Sequence, residues 1–416
     1  MCILEVLKSI SKVDIMIAVD NFVTDIKKSR VDFFTGVPDS LLKSFCAYVT
    51  DTCGENHVIA ANEGGAVGLA VGHYLATGKL ALVYMQNSGQ GNAVNPLCSL
   101  ADPDVYSIPM VLLVGWRGEP GVKDEPQHVK QGKVTIALFE TLGIPAEVLP
   151  DDEATALELT RRMVDKAKTE SRPVALIVRK GLFAEYKLQN KEEDISTLRR
   201  EAAIEGALRA LPDDAVVVST TGMISREVYE TRERLGQDHS RDFLTVGSMG
   251  HAIMIALGIA KAQPNRKVYC LDGDGASIMH MGNMAIAGQS GCENLTHIVF
   301  NNSAHDSVGG QPTVGGKIDL EKIAEELGYN VLQSPQDQYV GGKDLGADEI
   351  AGGMEWLVTM EKQVEQHKPE YYDDLPKKPN FILLKVAKGA RKDLGRPKEP
   401  PQVNKKLYMK ALGVEG

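Results

Sequence analysis

No apolar run in this 416-residue chain reaches the ~20 residues needed to span a bilayer. The opening stretch, MCILEVLKSISKVDIMIAVDNF, spaces its apolar residues at roughly helical intervals, but charges interrupt them. It lacks a basic start and a small-residue cleavage site, so no signal peptide is expected. The six cysteines form no CxxC pair. That excludes the usual zinc and disulfide frameworks and predicts buried thiols in a cytoplasmic protein. Basic charge is not in excess: 46 Lys and Arg stand against 56 Asp and Glu, a net charge of −10. Nucleic acid and anionic membranes are therefore disfavoured as main partners. A small anion is not, because a local basic pocket can sit on an acidic body. No GxxxxGK[ST] occurs, so a phosphate-loop nucleotide site is not expected.

A hydrophobic content of 43% and a charged content of 25% describe a soluble globular protein. The length exceeds one ordinary core and predicts two domains. In the first half, VDFFTG, HVIAA, LALVYM, PMVLLVG and PVALIVR read as strands. Helical runs such as DSLLKSFCAYV and EGGAVGLAVGHYLATG lie between them. Near-continuous apolar strands are expected where helices cover both faces of a parallel sheet. The charged stretch from Lys187 to Arg200 reads as a linker, after which AVVVSTT, DFLTVG, KVYCLDG, LTHIVFNN and NFILLKVA repeat the scheme. The expectation is α/β, with two doubly wound parallel-sheet domains at residues 1–188 and 189–416. Residues 337–379 break the rhythm and read as a surface insertion with a helix at GMEWLVTMEKQVEQH.

In open α/β sheets ligands bind beyond the carboxyl ends of the strands. In KVYCLDGDGASIMHM a strand ends in Asp272-Gly273-Asp274-Gly275 and a helix-like run follows. Such a sequence alone is often a turn. An EF-hand fails, because the positions needing the later glycine and glutamate hold Ser277 and Asn283. A second strand end, Asn301-Asn302, raises the weight of a metal site. A carboxylate, an amide oxygen and a nearby carbonyl are hard ligands suited to Mg²⁺, and the helix N–H groups of Gly275, Ala276 and Ser277 suit a phosphate.

GDGAS followed by NN resembles the signature of thiamine diphosphate enzymes. The resemblance implies Mg²⁺ held by Asp274, Asn302 and the carbonyl of Ala304, and thiamine diphosphate held through that metal. It further implies Glu63, in AANEGGAVGLAVG, on the cofactor's pyrimidine, where it promotes the imino form. It implies Gly247 and Met249, in TVGSMGH, beneath a bent cofactor. Alone, Glu63 reads equally as a helix N-terminal acid and Met249 as core packing. Thr220, Thr221 and Gly222 of STTGM, Gly273 of the DGDG turn, and His305 are implied near the diphosphate.

Within these enzymes the chain resembles the phosphonopyruvate decarboxylases, with sulfopyruvate decarboxylases as near relatives. FFTGVPDSLL, YMQNSGQGNAVNPLCSL, GWRGEPGVKDEPQHVKQG, SMGHAIMIALGIA, NNSAHDSVGGQPTVG and GARKDLGRP carry this likeness. Directly joined halves leave no room for a flavin-carrying middle domain, and the tandem histidines of pyruvate decarboxylases are absent. The implied reaction turns 3-phosphonopyruvate into phosphonoacetaldehyde and CO₂. The substrate is a small anionic 2-keto acid, so cations must meet it. Candidates are Arg117, Lys123 and His128 on one loop and Ser40 on another strand end, with Asp39 orienting a proton relay and His128 donating a proton. The bland alternative is that the loop's charges, Lys130 among them, are solvated surface. GARKDLGRP reads either as a tail or as part of the site. A homo-oligomer, at least a dimer, is implied, because the family's cofactor lies between subunits. A non-catalytic binding protein and a generic nucleotide-dependent enzyme are the other classes. The retained Glu63, Asp274 and Asn302 oppose the first, and the missing phosphate-loop lysine opposes the second.

Overall fold

A computed structural model describes residues 16–338, 346–355 and 377–414. The chain divides into two compact units. One runs through Lys191 and takes in Ser307–Gln311, and the other holds the rest from Glu192.

The first unit contains β1 (Val31–Gly36), β2 (His57–Ile59), β3 (Leu80–Gln86), β4 (Met110–Gly115), β5 (Ala146–Val148) and β6 (Pro173–Val178). They form one sheet in the order β2-β1-β3-β4-β6-β5, with every pairing parallel. The second unit contains β7 (Val216–Ser219), β8 (Asp242–Leu244), β9 (Val268–Gly273), β10 (Leu295–Asn301), β11 (Asn330–Val331) and β12 (Asn380–Lys385). Its order, β11-β12-β10-β9-β7-β8, is also wholly parallel. Read from its other edge it repeats the first: second strand, first, third, fourth, sixth, fifth. The predicted architecture is therefore the observed one. In each sheet the order reverses beside the first strand, between β1 and β3 and between β7 and β9. Such switch points open the crevices in which α/β proteins bind ligands.

The strand period of two divides each sheet's side chains between two cores. On β3, Leu80, Leu82 and Tyr84 join one apolar cluster, while Ala81, Val83 and Met85 join the cluster on the opposite face. Helices cover both faces, which is why β4, β6 and β10 are buried along their full length and read as unbroken apolar runs. The sequence did not indicate β5 or β11. Both are short edge strands of three and two residues, closely bounded by Pro145 and Pro150 or by Gly328 and Gln333, whereas the equally short β2 and β8 lie in longer strand-like runs.

Three expectations change. Much of the 337–379 insertion, including most of its proposed helix, lies outside the described residues. Its described part is not purely surface: residues 347–355 are helical, and Ile350 and Met354, one turn apart, are buried in the second unit's core. Arg200 begins the helix Arg200–Ala210 rather than ending a linker. Cys46, Cys53, Cys270 and Cys292 are buried free thiols, but Cys98 is exposed. Among the described residues no helix is long and apolar enough to cross a membrane.

Leu112 is fully buried at the centre of β4. Leu112→Ala is expected to cost about 2–5 kcal/mol through lost transfer energy and a residual cavity. Thermal unfolding checks this, and an unchanged melting temperature would contradict the central place of β4.

Candidate active site

In the first unit, the segments after β1, β3 and β4 carry the polar groups of one rim. Asp39 follows β1 and is fully buried. Its Oδ1 accepts from Gln86 Nε2 at 2.7 Å and its Oδ2 from the Leu41 N–H at 2.9 Å. Gly115, the last residue of β4, leaves the space: a Cβ there would stand 2.1 Å from Asp39 Oδ2. Burial raises the Asp39 pKa against the pull of Gln86.

Arg117 follows β4. Asn87 fixes its backbone, donating to the Arg117 carbonyl at 2.7 Å and accepting from its N–H at 3.2 Å. Two edges of the guanidinium, Nε and Nη2, grip Asp124, while Nη1 donates to Ser40 Oγ at 2.8 Å. The fork assigned from sequence to an anionic substrate is thus filled by Asp124. Asp124 also accepts from the Gly118 N–H at 2.8 Å and lies 3.1 Å from His128 Nδ1. Against the penalty of burial, Arg117 and His128 hold its carboxyl well below the usual carboxylate range.

His128 sits in the first turn of the helix Pro126–Thr141 and is buried. Burial lowers its pKa more than Asp124 raises it. A neutral imidazole must place its proton on Nδ1 to meet the carboxylate, leaving Nε2 as an acceptor. The structure therefore ties Arg117 and His128 to Asp124, with Ser40 on the free edge of Arg117 and the Asp39 charge acting on both Arg117 and His128. Lys123 and Lys130 are exposed. Asp124 escaped the sequence reading, although its i, i+4 spacing to His128 was an available signal.

Glu63 opens the helix Glu63–Thr77, whose N-cap Asn62 accepts from the Gly65 N–H at 2.9 Å. The carboxylate is 4% exposed and accepts from Asn92 Nδ2 at 2.7 Å. Here too a glycine gives room: a Cβ on Gly89 would lie 2.2 Å from Glu63 Oε1. Burial raises the Glu63 pKa, and Asn92 only partly opposes it.

The second unit carries the other group. Asp274 follows Gly273 at the end of β9 and is 2% exposed. It accepts from Thr313 Oγ1 and from the N–H groups of Asn302 and Gly275, yet burial still pushes its pKa up to about 6. Asn302 lies just past β10. Its Oδ1 accepts from the Ala304 N–H at 3.0 Å and keeps a second lone pair. Met249 and His305 converge on Gly275: a Cβ there would stand 3.2 Å from His305 Cε1 and 3.5 Å from Met249 Cε. Burial pushes the His305 imidazole down to about 4. Thr221 Oγ1 accepts from the Gly247 N–H at 2.9 Å, and the Thr220 N–H bonds the Leu271 carbonyl at 2.8 Å. Gly222 and Gly247 adopt φ of 92° and 73°, turns that a side chain would strain.

Asp272 is not a turn residue. It is fully buried within β9, beside the His297 ring of β10, with its Oδ1 on the Gly273 N–H at 2.9 Å. Ala276 and Ser277 are buried in the short helix that begins at Asp274, and Ser277 Oγ lies 3.4 Å from Asp272.

These residues suit a metal and diphosphate. Asp274, Asn302 Oδ1 and the Ala304 carbonyl are all oxygen donors, the set a hard divalent cation takes. A cation would offset the burial that raises Asp274, and the bare Gly275 leaves a cradle between Met249 and His305.

Comparison with known proteins identifies thiamine diphosphate-binding domains. Residues 16–138 match the description "Thiamine pyrophosphate enzyme, N-terminal TPP binding domain", and residues 220–345 match its C-terminal counterpart. The chain is 31% identical over 404 residues to a phosphonopyruvate decarboxylase of Streptomyces viridochromogenes, covering 93% of this chain and 92% of that protein. The chain belongs to the thiamine diphosphate-dependent decarboxylase family. It is also 37% identical over 140 residues to sulfopyruvate decarboxylase subunit beta of Methanothermobacter thermautotrophicus, which spans 34% of this chain and 72% of that one. Subunit alpha of Methanococcus maripaludis is 34% identical over 152 residues, 36% of this chain and 87% of that one.

In a decarboxylase of this family a buried glutamate costs stability. Because folding raises the Glu63 pKa above its ordinary 4.5, its contribution is most favourable at low pH and is lost as pH rises through the folded value. Glu63→Gln is therefore expected to raise the melting temperature at pH 7–8, with the gain vanishing below about pH 4.5. Thermal melts across that range check the sign.

Proposed function

We propose that this chain decarboxylates 3-phosphonopyruvate to phosphonoacetaldehyde and CO₂, using thiamine diphosphate and Mg²⁺. The observation that carries the reading is the end-to-end likeness to a phosphonopyruvate decarboxylase. When bound, thiamine diphosphate supplies the nucleophilic carbon and the electron sink for loss of CO₂.

The chain's own residues bind, orient and manage protons. Asp274, Asn302 and the Ala304 carbonyl hold the metal. Thr220, Thr221, Gly222, Gly273, Gly275, Ala276, Ser277 and His305 would hold the diphosphate, and Gly247 and Met249 would lie beneath the cofactor. Glu63, held protonated more readily by burial, would hold a proton toward the cofactor's pyrimidine. On the substrate side Ser40 accepts from Arg117 Nη1, so its own hydroxyl hydrogen is free to meet an anionic oxygen. His128 offers Nε2 to take and return a proton beside Asp39.

A second reading, sulfopyruvate decarboxylation, is favoured by one feature. Asp124 neutralises Arg117, and His128 is neutral above its lowered pKa. That cluster meets a monoanionic sulfonate at less cost than a phosphonate dianion.

We also propose a homo-oligomer, at least a dimer, in which a second copy completes the cofactor site. The helix Glu63–Thr77 supports this. Its sequence is apolar nearly all round, yet Leu69 and Leu75 are 38% and 71% exposed.

Assays with Mg²⁺ and thiamine diphosphate decide between the substrates. Aldehyde formation with a higher kcat/KM for phosphonopyruvate is expected. A preference for sulfopyruvate, or no turnover with cofactor bound, would refute the first reading. Asp274→Ala is expected to weaken cofactor affinity. Glu63→Gln should bind cofactor but slow H/D exchange at C2 by about 100-fold or more. Normal exchange in that variant would contradict the role of Glu63.

A further inference from the structure

Asn302 serves as a metal ligand only if its amide oxygen, not its nitrogen, is turned to the metal. Its Nδ2 donates to Asp306 Oδ2 at 2.6 Å. An ionised carboxylate only accepts, so that contact dictates which end of the amide faces which way. The same Asp306 oxygen accepts from Arg200 Nη1 at 2.9 Å and from the Gly389 N–H at 2.9 Å. Arg200 is itself immobilised: its Nε and Nη2 lie 2.8 and 3.1 Å from the two carboxylate oxygens of Glu227. Arg200 and Glu227 are 5% and 1% exposed. Gly389, with φ of 88°, opens the GARKDLGRP segment and brings its N–H to Asp306.

We propose that Asp306, braced by Arg200 and the Gly389 turn, is a positioning residue that fixes the amide of Asn302 and so sets the metal affinity of the site. This rests on the reading of Asp274, Asn302 and Ala304 as the metal ligands. It gives the GARKDLGRP segment a task at its first residue, that of bracing Asp306.

The test is Mn²⁺ binding to the full-length protein with thiamine diphosphate present, read from the electron paramagnetic resonance signal of free Mn²⁺. In Asp306→Asn only the Ala304 N–H is left to orient the amide of Asn302, and Mn²⁺ affinity is expected to fall about 10–100-fold. Asn302→Asp presents an oxygen to the metal whichever way it turns, so the exchanged pair Asn302→Asp with Asp306→Asn is expected to recover most of the affinity. Wild-type affinity in a folded Asp306→Asn protein would overturn the proposal. If that single variant does not fold, the exchanged pair decides alone: affinity near wild type supports the inference, and a loss of more than about 10-fold overturns it. Asp274→Asn, run alongside, tests the underlying reading. Unchanged Mn²⁺ affinity there removes the metal site itself, whatever Asp306 does.

Discussion

The polar group of each unit depends on holding carboxylates out of water. Asp39, Glu63 and Asp274 each stand just past a strand end, each is almost wholly buried, and each has its pKa raised by that burial. A buried carboxylate with few donors is costly, and the fold meets the cost with local geometry. Glycines remove the atoms that would collide with Asp39 and Glu63. Single amide donors, Gln86 and Asn92, hold one oxygen of each. The remaining capacity of these carboxyls is what a cofactor, a substrate or a metal can use.

The two sheets explain how so many strand ends supply polar groups. Parallel strands all deliver their carboxyl ends to one edge of the sheet, and the helices that follow begin there. In the first unit this edge yields an electrically balanced cluster of Arg117, Asp124 and His128. In the second it yields a compact oxygen-donor group under Met249 and His305. The difference fits the tasks proposed for them: one group handles protons and an organic anion, the other a cation and its phosphates.

The architecture was largely legible because parallel strands covered on both faces leave continuous apolar runs. The strand-end residues Glu63, Met249, Asp274 and Asn302 were legible because a family resemblance singled them out. What stayed hidden was set by contacts distant in sequence or by brevity. Arg200 meets Asp306 across 106 positions, and no spacing rule reaches that far. The role of Asp124 exists only once its loop folds back on Arg117. The edge strands β5 and β11 are short and closely bounded by breakers, so no apolar run marks them.

Each unit has its own sheet and its own pair of cores. The stretch from Gln189 to Ile195 between them is exposed at every residue. Its backbone is held all the same: Gln189 and Asn190 donate to Asp51, and Lys388 Nζ donates to the Glu192 and Glu193 carbonyls. A covalent tether supplies the two halves in equal number. The sulfopyruvate decarboxylases that the chain resembles are named as separate alpha and beta subunits, for which equal supply is not built into one chain.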